Sequence, residues 1–532
     1  MVWTNRVTTM LVAATTAVAA GGCNPGQKIG GTGFATDDAG ETDTGEATDT
    51  GEETDTGEET DTGEGSMQPI YDVGGDIEEP SIPETCDAAE VALMTVGCEF
   101  YAVDLPDLSL NDGWALVVSN VQSDQVAQVT IEKREAGTWT EWANEAVGTL
   151  DIAVFEPDNT GISGTSLVPE HAYRVISDVP VAAYQINPKA GGGNSGDASL
   201  LYPTYTWDHV NEAIGWDNGT AAGMVYFSVV AREDDTQVTV NAAVDLAAGS
   251  NIPALAAGQQ QVFDLDSGDM LTMFAANQDE SVTGTRITSA EDEPVAVFSG
   301  ARCVYIPSGN GACDHLETQL SGLQLWGERF VASRMPVRVP DEPEDSPWHI
   351  YASEDGTTVE FTAFGNVTGL PDEPVMLDAG EKLELWVTGD TDDPGDFLVE
   401  SDEPIAVVNY MKGSYALPAE LDFPGDPAMI QLAPVEQFLP IYVVYVPPSW
   451  ASDFLVITRR VGEEISLDGM SIPDDQFVEV PGDFEVARIP VEDGVHRLLG
   501  EGDFGVEVIG FESTDSYAYL GGAKTEVINP AG

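Results

Sequence analysis

From about residue 92 onward, the chain runs in short segments whose apolar positions alternate with polar ones or follow one another without a break. A period of two marks a strand with one buried face, and a short continuous apolar run marks one buried on both. Residues 114–120 and 126–133 form one such pair. Residues 224–232 and 236–244 form a second, 349–353 and 357–364 a third, and 454–459 and 464–467 a shorter fourth. Ser119-Asn120, Asp234-Asp235, Glu354-Asp355-Gly356 and Gly462-Glu463 stand at the turns. Turn residues between two strand patterns predict hairpins, so four are expected. Few windows longer than ten residues show a helical period. The best is 313–325, where Leu316, Leu320, Leu323 and Leu325 predict one short helix.

A second pattern recurs on a longer scale. Asp178-Val179-Pro180-Val181-Ala182, Glu293-Pro294-Val295-Ala296 and Glu403-Pro404-Ile405-Ala406 are copies of one motif, an acidic residue and a proline leading into an apolar run. Proline at a strand start does little harm, because its missing donor is not needed there. Gly505-Val506-Glu507-Val508-Ile509 lies about one period later without the proline. The spacing implies four β-rich blocks of roughly 100 residues each. Two-layer sandwiches of that size bury alternating faces economically. A four-bladed propeller is the alternative, but its blades of about 40–50 residues are smaller than these repeats. The fold expected is all-β: tandem β-sandwich-like modules at 73–205, 206–325, 326–430 and 431–532, after a disordered acidic tether.

Composition narrows the function. The 532 residues carry 93 acidic and 19 basic side chains, a formal net charge of −74. Nucleic acid and anionic lipid surfaces both require positive protein surface, so neither is an expected partner. The 55 Gly and 32 Pro disfavour a helical protein.

The amino terminus reads as an address. Arg6 precedes an uncharged run through Ala20, and Ala20-Gly21-Gly22 leads to Cys23. A positive start, a short apolar core and small residues before a cut mark a secretory signal at 1–22. The box resembles that of bacterial lipoproteins, with Ala20 where Leu is usual, and the resemblance implies that Cys23 is lipidated. Ordinary signal cleavage leaving a free Cys23 thiol is the alternative. An Asp after the cysteine resembles an inner-membrane retention signal. Asn24 therefore points to the outer membrane, with the lipid as the one membrane contact. Residues 23–72 form the tether. Thr-Asp-Thr-Gly recurs from Thr42, Thr48, Thr54 and Thr60, and there is little to bury. Like charges extend such a spacer. A calcium-binding strip is the rival reading, but it lacks the fixed ligand order of a dedicated loop.

Cys86, Cys98, Cys303 and Cys313 remain. Four cysteines allow three pairings, and the local one, Cys86 with Cys98 and Cys303 with Cys313, is the simplest in an oxidising compartment. A metal site would call for C-x2-C spacing or clustered histidines, and neither is present. Calcium is a candidate cofactor at two acidic loops, one with Asp264, Asp266 and Asp269, the other with Asp390, Asp392, Asp393 and Asp396. Solvated turns are the bland account of both. Catalysis finds little support. Cys313-Asp314-His315 are consecutive, so their side chains do not converge. His171, His209, His349 and His496 are isolated, and neither H-E-x-x-H nor G-x-S-x-G occurs. Gly191 to Gly196 is glycine-rich without the lysine of a phosphate loop. Trp139, Trp142, Tyr202, Tyr205, Trp207 and Trp216 crowd the first two blocks, as a recognition surface or as core.

One stretch carries a family resemblance. Gly284-Thr285-Arg286-Ile287 leads through Pro294-Val295-Ala296-Val297-Phe298-Ser299-Gly300, Cys303 and Ile306-Pro307 to Cys313-Asp314-His315-Leu316-Glu317, Gln319-Leu320 and Trp326-Gly327. Asn194-Ser195-Gly196-Asp197-Ala198-Ser199-Leu200-Leu201 with Pro203, and Pro427-Ala428-Met429 with Pro434 and Gln437-Phe438, belong to the same set. This order resembles the amino-terminal domain of the IgG Fc-binding protein family, which also occurs in bacterial surface lipoproteins. The resemblance covers about residues 95 to 525. Ser195-Gly196 departs from the family's usual Asn-Asp. It implies extracellular recognition or matrix association, and transfers no binding residue and no antibody binding. The expected function is a noncatalytic, outer-membrane, cell-surface lipoprotein for adhesion, with an extracellular protein or glycan as partner. A structural envelope component and a secreted hydrolase with a carboxylate pair are the alternatives.

Overall fold

The computed structural model describes residues 80–530 except 109–112, 190–195, 218–223, 310–312, 340, 422 and 449. The signal segment, Cys23 and the Thr-Asp-Thr-Gly repeat lie outside the described residues. Among the described residues no helix is long and apolar enough to cross a membrane.

The body is β throughout, in four modules of one design. The first is organised on a long strand, Tyr173–Asn187. Its first half pairs with Gly97–Ala102 on one side and Ala127–Glu135 on the other. Its second half pairs with Ala115–Ser119 and with an inner strand, Asp197–Leu201. Thr138–Val147 and Ile152–Phe155 extend the two halves outward. All pairs are antiparallel. One bent strand therefore serves both layers of a sandwich. Phe397–Tyr410 does so in the third module, with the inner strand Met429–Gln431. Gly494–Glu512 does so in the fourth, with Asp515–Leu520. In the second module the long strand is broken into Arg286–Thr288 and Val295–Val304, with the inner strand Asp314–Gln319.

The acid–proline motif marks the bend. In the first and third modules the proline does not start a strand but sits inside the long one, between the residues pairing in one layer and those pairing in the other. At that corner neither ladder needs the missing N–H. Asp178 accepts the Gln128 N–H at 2.7 Å, and Asp402 accepts that of Thr358 at 2.6 Å. In both modules the acid thus holds the start of the strand beside the bend.

The four expected hairpins are corrected. In each predicted pair the two strands pair with other strands and not with each other. Val225–Ala231, for instance, lies in one sheet and Thr236–Asn241 in the other, with Asp235 at φ 62° between them. The turn residues make an arch across the core instead of a hairpin. Both strands carry apolar residues that must face one interior, and the arch lets them face it from opposite layers. The helix expected at 313–325 is corrected too. Asp314–Gln319 is a strand and only Leu323–Leu325 is helical, as a single 3-10 turn. His315, Glu317 and Gln319 are as buried as their apolar neighbours, which hid the period of two.

The modules close into a ring. Each inner strand touches two others, in the cyclic order first, second, third, fourth, first. Each apolar core also draws on two neighbouring modules. Tyr226 and Phe298 of the second join the core of the first, and Tyr410 and Met429 of the third join that of the second. Val456 and Ile509 of the fourth pack with the third, and Tyr184 and Leu200 of the first pack with the fourth. A buried apolar side chain of that size contributes about 1.5–3 kcal/mol, so the shared cores help hold neighbouring modules together. The closing seam is also hydrogen-bonded. The Thr95 N–H donates to the Ala523 carbonyl at 3.1 Å, and the Thr525 N–H to that of Leu93 at 2.6 Å.

Candidate functional site

A cleft of about 580 Å3 opens where the first module meets the second. Strand register assembles its wall. Arg174 on the long strand lies opposite Tyr101 on one neighbour and Glu132 on the other. Arg134 and Trp139 are paired across the adjoining hairpin. Arg174 Nε donates to Glu132 Oε2 at 2.8 Å, and Glu99 lies 3.8 Å from Arg174 Nη1. The same guanidinium sits 4.6 Å over the Trp139 ring, and the Tyr101 ring meets that indole edge-on at 5.6 Å.

The second module supplies the opposite side, from the arch at Arg232, Glu233 and Asp234 and from the turn Asp266-Ser267-Gly268-Asp269. Trp139 Nε1 donates to Ser267 Oγ at 3.2 Å. Arg134 grips Asp234 through both terminal nitrogens, at 2.5 and 3.0 Å, and donates to the Ser267 carbonyl at 2.6 Å. That grip holds the Asp234 carboxyl below the usual range. Gly268, at φ 81°, allows the close fit, since a Cβ there would lie 2.9 Å from the Trp139 ring. The aromatic and guanidinium groups are therefore fixed before any ligand arrives.

The acidic loops read as calcium candidates spend oxygens on protein donors. Asp266 accepts the Asp235 N–H at 3.2 Å, Asp269 accepts those of Glu170 and Asp266 at 2.9 and 3.1 Å, and Asp264 accepts Gln237 Nε2 at 3.0 Å. These bonds shape the turn that seats Trp139. In the other loop Asp390 accepts the N–H groups of Asp392 and Asp393 at 2.9 and 3.0 Å. Asp396 instead pairs with Arg488 at 2.5 Å and caps the Arg334 N–H at 2.8 Å. Among the described residues no three His, Cys, Asp or Glu side chains meet in a group that would hold a metal ion.

Carboxylates do gather around the ring axis. Asp197, Asp314 and Asp515 begin three of the inner strands and Asp426 precedes the fourth, all of them buried. Asp197 Oδ1 accepts the N–H groups of Ala198 and Ala518 at 2.9 and 3.2 Å, and Oδ2 those of Glu317 and Met429 at 3.2 and 3.3 Å. Burial, reinforced by the Asp426 and Asp515 carboxylates, pushes Asp314 far up. Burial lifts Asp426 to about 6 and Asp515 to about 7. The tempting triplet lies here. Cys313 is bonded to Cys303 with Cα atoms 5.2 Å apart, and Cys86 to Cys98 at 5.7 Å. Asp314 Oδ1 accepts the His315 N–H at 2.7 Å. Burial depresses the His315 imidazole to about 3, leaving it neutral.

Of the aromatic residues singled out in the sequence, Tyr202, Trp207 and Trp216 are core, and Tyr205 anchors the Met94 and Val96 carbonyls at 2.6 and 2.7 Å. Trp139 reaches the cleft, and Trp142 is exposed. The sequence reading missed Glu99, Arg134, Arg174, Arg232 and Ser267. Its one available signal was three arginines within 134–232 of a chain that has only 19 basic residues.

Comparison with curated proteins and with solved structures found no match. A family model did match. The model described as IgGFc binding protein covers residues 197–510, from the first inner strand to the last long strand and more than half of the chain. The chain belongs to the IgGFc-binding protein family.

Proposed function

We propose that this protein is a noncatalytic cell-surface lipoprotein that binds an extracellular protein or glycan, held to the outer membrane by a lipid on Cys23. The family assignment supports recognition in general. The observation that carries the reading is the cleft between the first and second modules, where the half-buried Trp139, Arg174 and Arg232 line an open pocket. Its size falls within the range of about 300–1,000 Å3 typical of small-ligand sites. The two local disulfides suit an oxidising compartment.

Protease shaving of intact cells tests the location, with peptides read by mass spectrometry and a periplasmic protein as control. Peptides between Phe100 and Val527 in the shaved fraction place the body outside the cell. Protection until the outer membrane is broken would overturn the surface reading and favour an envelope component. Labelling with a fatty-acid analogue, compared between the parent and Cys23→Ser, tests the anchor.

A further inference from the structure

The cleft walls specify more than a general binding site, and the inference below rests on the binding reading just given. We propose that the cleft between the first and second modules takes a neutral saccharide, with its apolar ring face toward the half-buried Trp139 and its hydroxyls toward the surrounding guanidinium and carboxylate groups.

Charge is the first argument. Arg134, Arg174 and Arg232 face Glu99, Glu233 and Asp234 in the lining, with Glu132 bonded to Arg174 beside it, so the cleft holds no excess of cations. The molecule as a whole carries −74. An acidic ligand meets that field on approach and finds no excess of cations to reward it. A cationic ligand is drawn in but meets three guanidinium groups at close range. A neutral ligand escapes both penalties.

Hydrogen-bonding capacity is the second. Sugar hydroxyls donate and accept, so they need both kinds of partner side by side. Guanidinium groups only donate and carboxylates only accept, and this cleft offers both beside Trp139. Preorganisation is the third. The Trp139 N–H is already taken by Ser267, and Arg174 is held by Glu132. What the indole offers a ligand is ring surface in a fixed pose, and little entropy remains to be lost on binding.

The test uses the full chain on two oligosaccharide arrays, one of neutral hexose and N-acetylhexosamine termini and one of uronate and sulfate termini. A protein array runs in parallel. Binding to the neutral array is expected, with affinity nearly constant between about 50 and 500 mM NaCl because no net charge is neutralised. Trp139→Ala should weaken it about tenfold or more. Arg232→Gln with Glu233→Gln alters only the cleft rim, preserves the charge balance and should weaken binding several-fold without moving the melting temperature. Binding confined to the acidic array, steep loss with salt, or neutral binding unmoved by both variants would overturn the proposal. A silent saccharide array beside a positive protein array would remove the saccharide and leave the binding reading standing. Silence on every array would remove both.

Discussion

Asp197 accepts one backbone N–H from the inner strand of every module. It is fully buried, so no water replaces what a substitution removes. Asp197→Ala would orphan the N–H groups of Glu317, Met429 and Ala518, which belong to three other modules. Each buried donor left unpaired costs about 1–3 kcal/mol, so the gross loss is roughly 3–9 kcal/mol. Relief of the repulsion with the buried Glu317 carboxylate and partial collapse of the site offset part of it. The expected net destabilisation is about 2 kcal/mol or more. Asp197→Asn keeps the volume and one acceptor oxygen but turns an NH2 group toward two N–H donors, and it should fall between parent and alanine variant. Urea unfolding gives the size of the effect. Hydrogen exchange gives its location, with protection lost first at Glu317, Met429 and Ala518. An alanine variant within about 1 kcal/mol of the parent, with those three amides still protected, would refute the idea that one carboxylate ties the ring together.

Three further outcomes follow from the geometry. Burial raises Glu212, Asp453 and Asp515 to about 7 and Glu507 to about 8. A carboxyl whose folded value exceeds its unfolded one stabilises the fold below the unfolded value and loses that contribution as pH rises through the folded one. The melting temperature should therefore fall between pH 5 and pH 9, even in salt strong enough to screen the surface, and a flat or rising profile would count against neutral buried acids. Reduction of the two disulfides, which span separations of 12 and 10 residues, should cost about 2.5–3 kcal/mol each by loop entropy; Cys86→Ser with Cys98→Ser, compared with the parent in urea, measures one of them. Gly300→Ala should cost about 3 kcal/mol or more, because its Cβ would lie 2.1 Å from the Leu316 carbonyl oxygen; an unchanged urea midpoint would mean that the inner strand shifts freely.

Much of the local structure was legible. A period of two located most strands, because a half-buried strand must alternate. The prolines at 180, 294 and 404 gave the repeat; two fall at the bend where a long strand changes layers, and Pro294 falls in the break between two strands. Where alternation failed, burial on both faces was the reason. His315, Glu317 and Gln319 look like the solvent face of a helix until the ring axis covers them. The cleft was harder to read. Trp139 was visible as an aromatic residue, but Arg174, Asp234 and Ser267 are far apart in sequence, and only packing of one module on the next gathers them.

The sequence by itself determined the strand content, the four-fold repeat and the strong acidity, since these depend on neighbouring residues and on sums over the chain. Tertiary structure decided which strand pairs with which, turning four expected hairpins into arches across the core. It also decided that the modules close on one another, and that their acids meet around an axis where Asp197 holds one amide from each. Strand pairing is a contact between residues far apart in the chain, chosen by which apolar faces fill a shared interior. No local pattern records that choice, because the same turn residues serve a hairpin and an arch equally well.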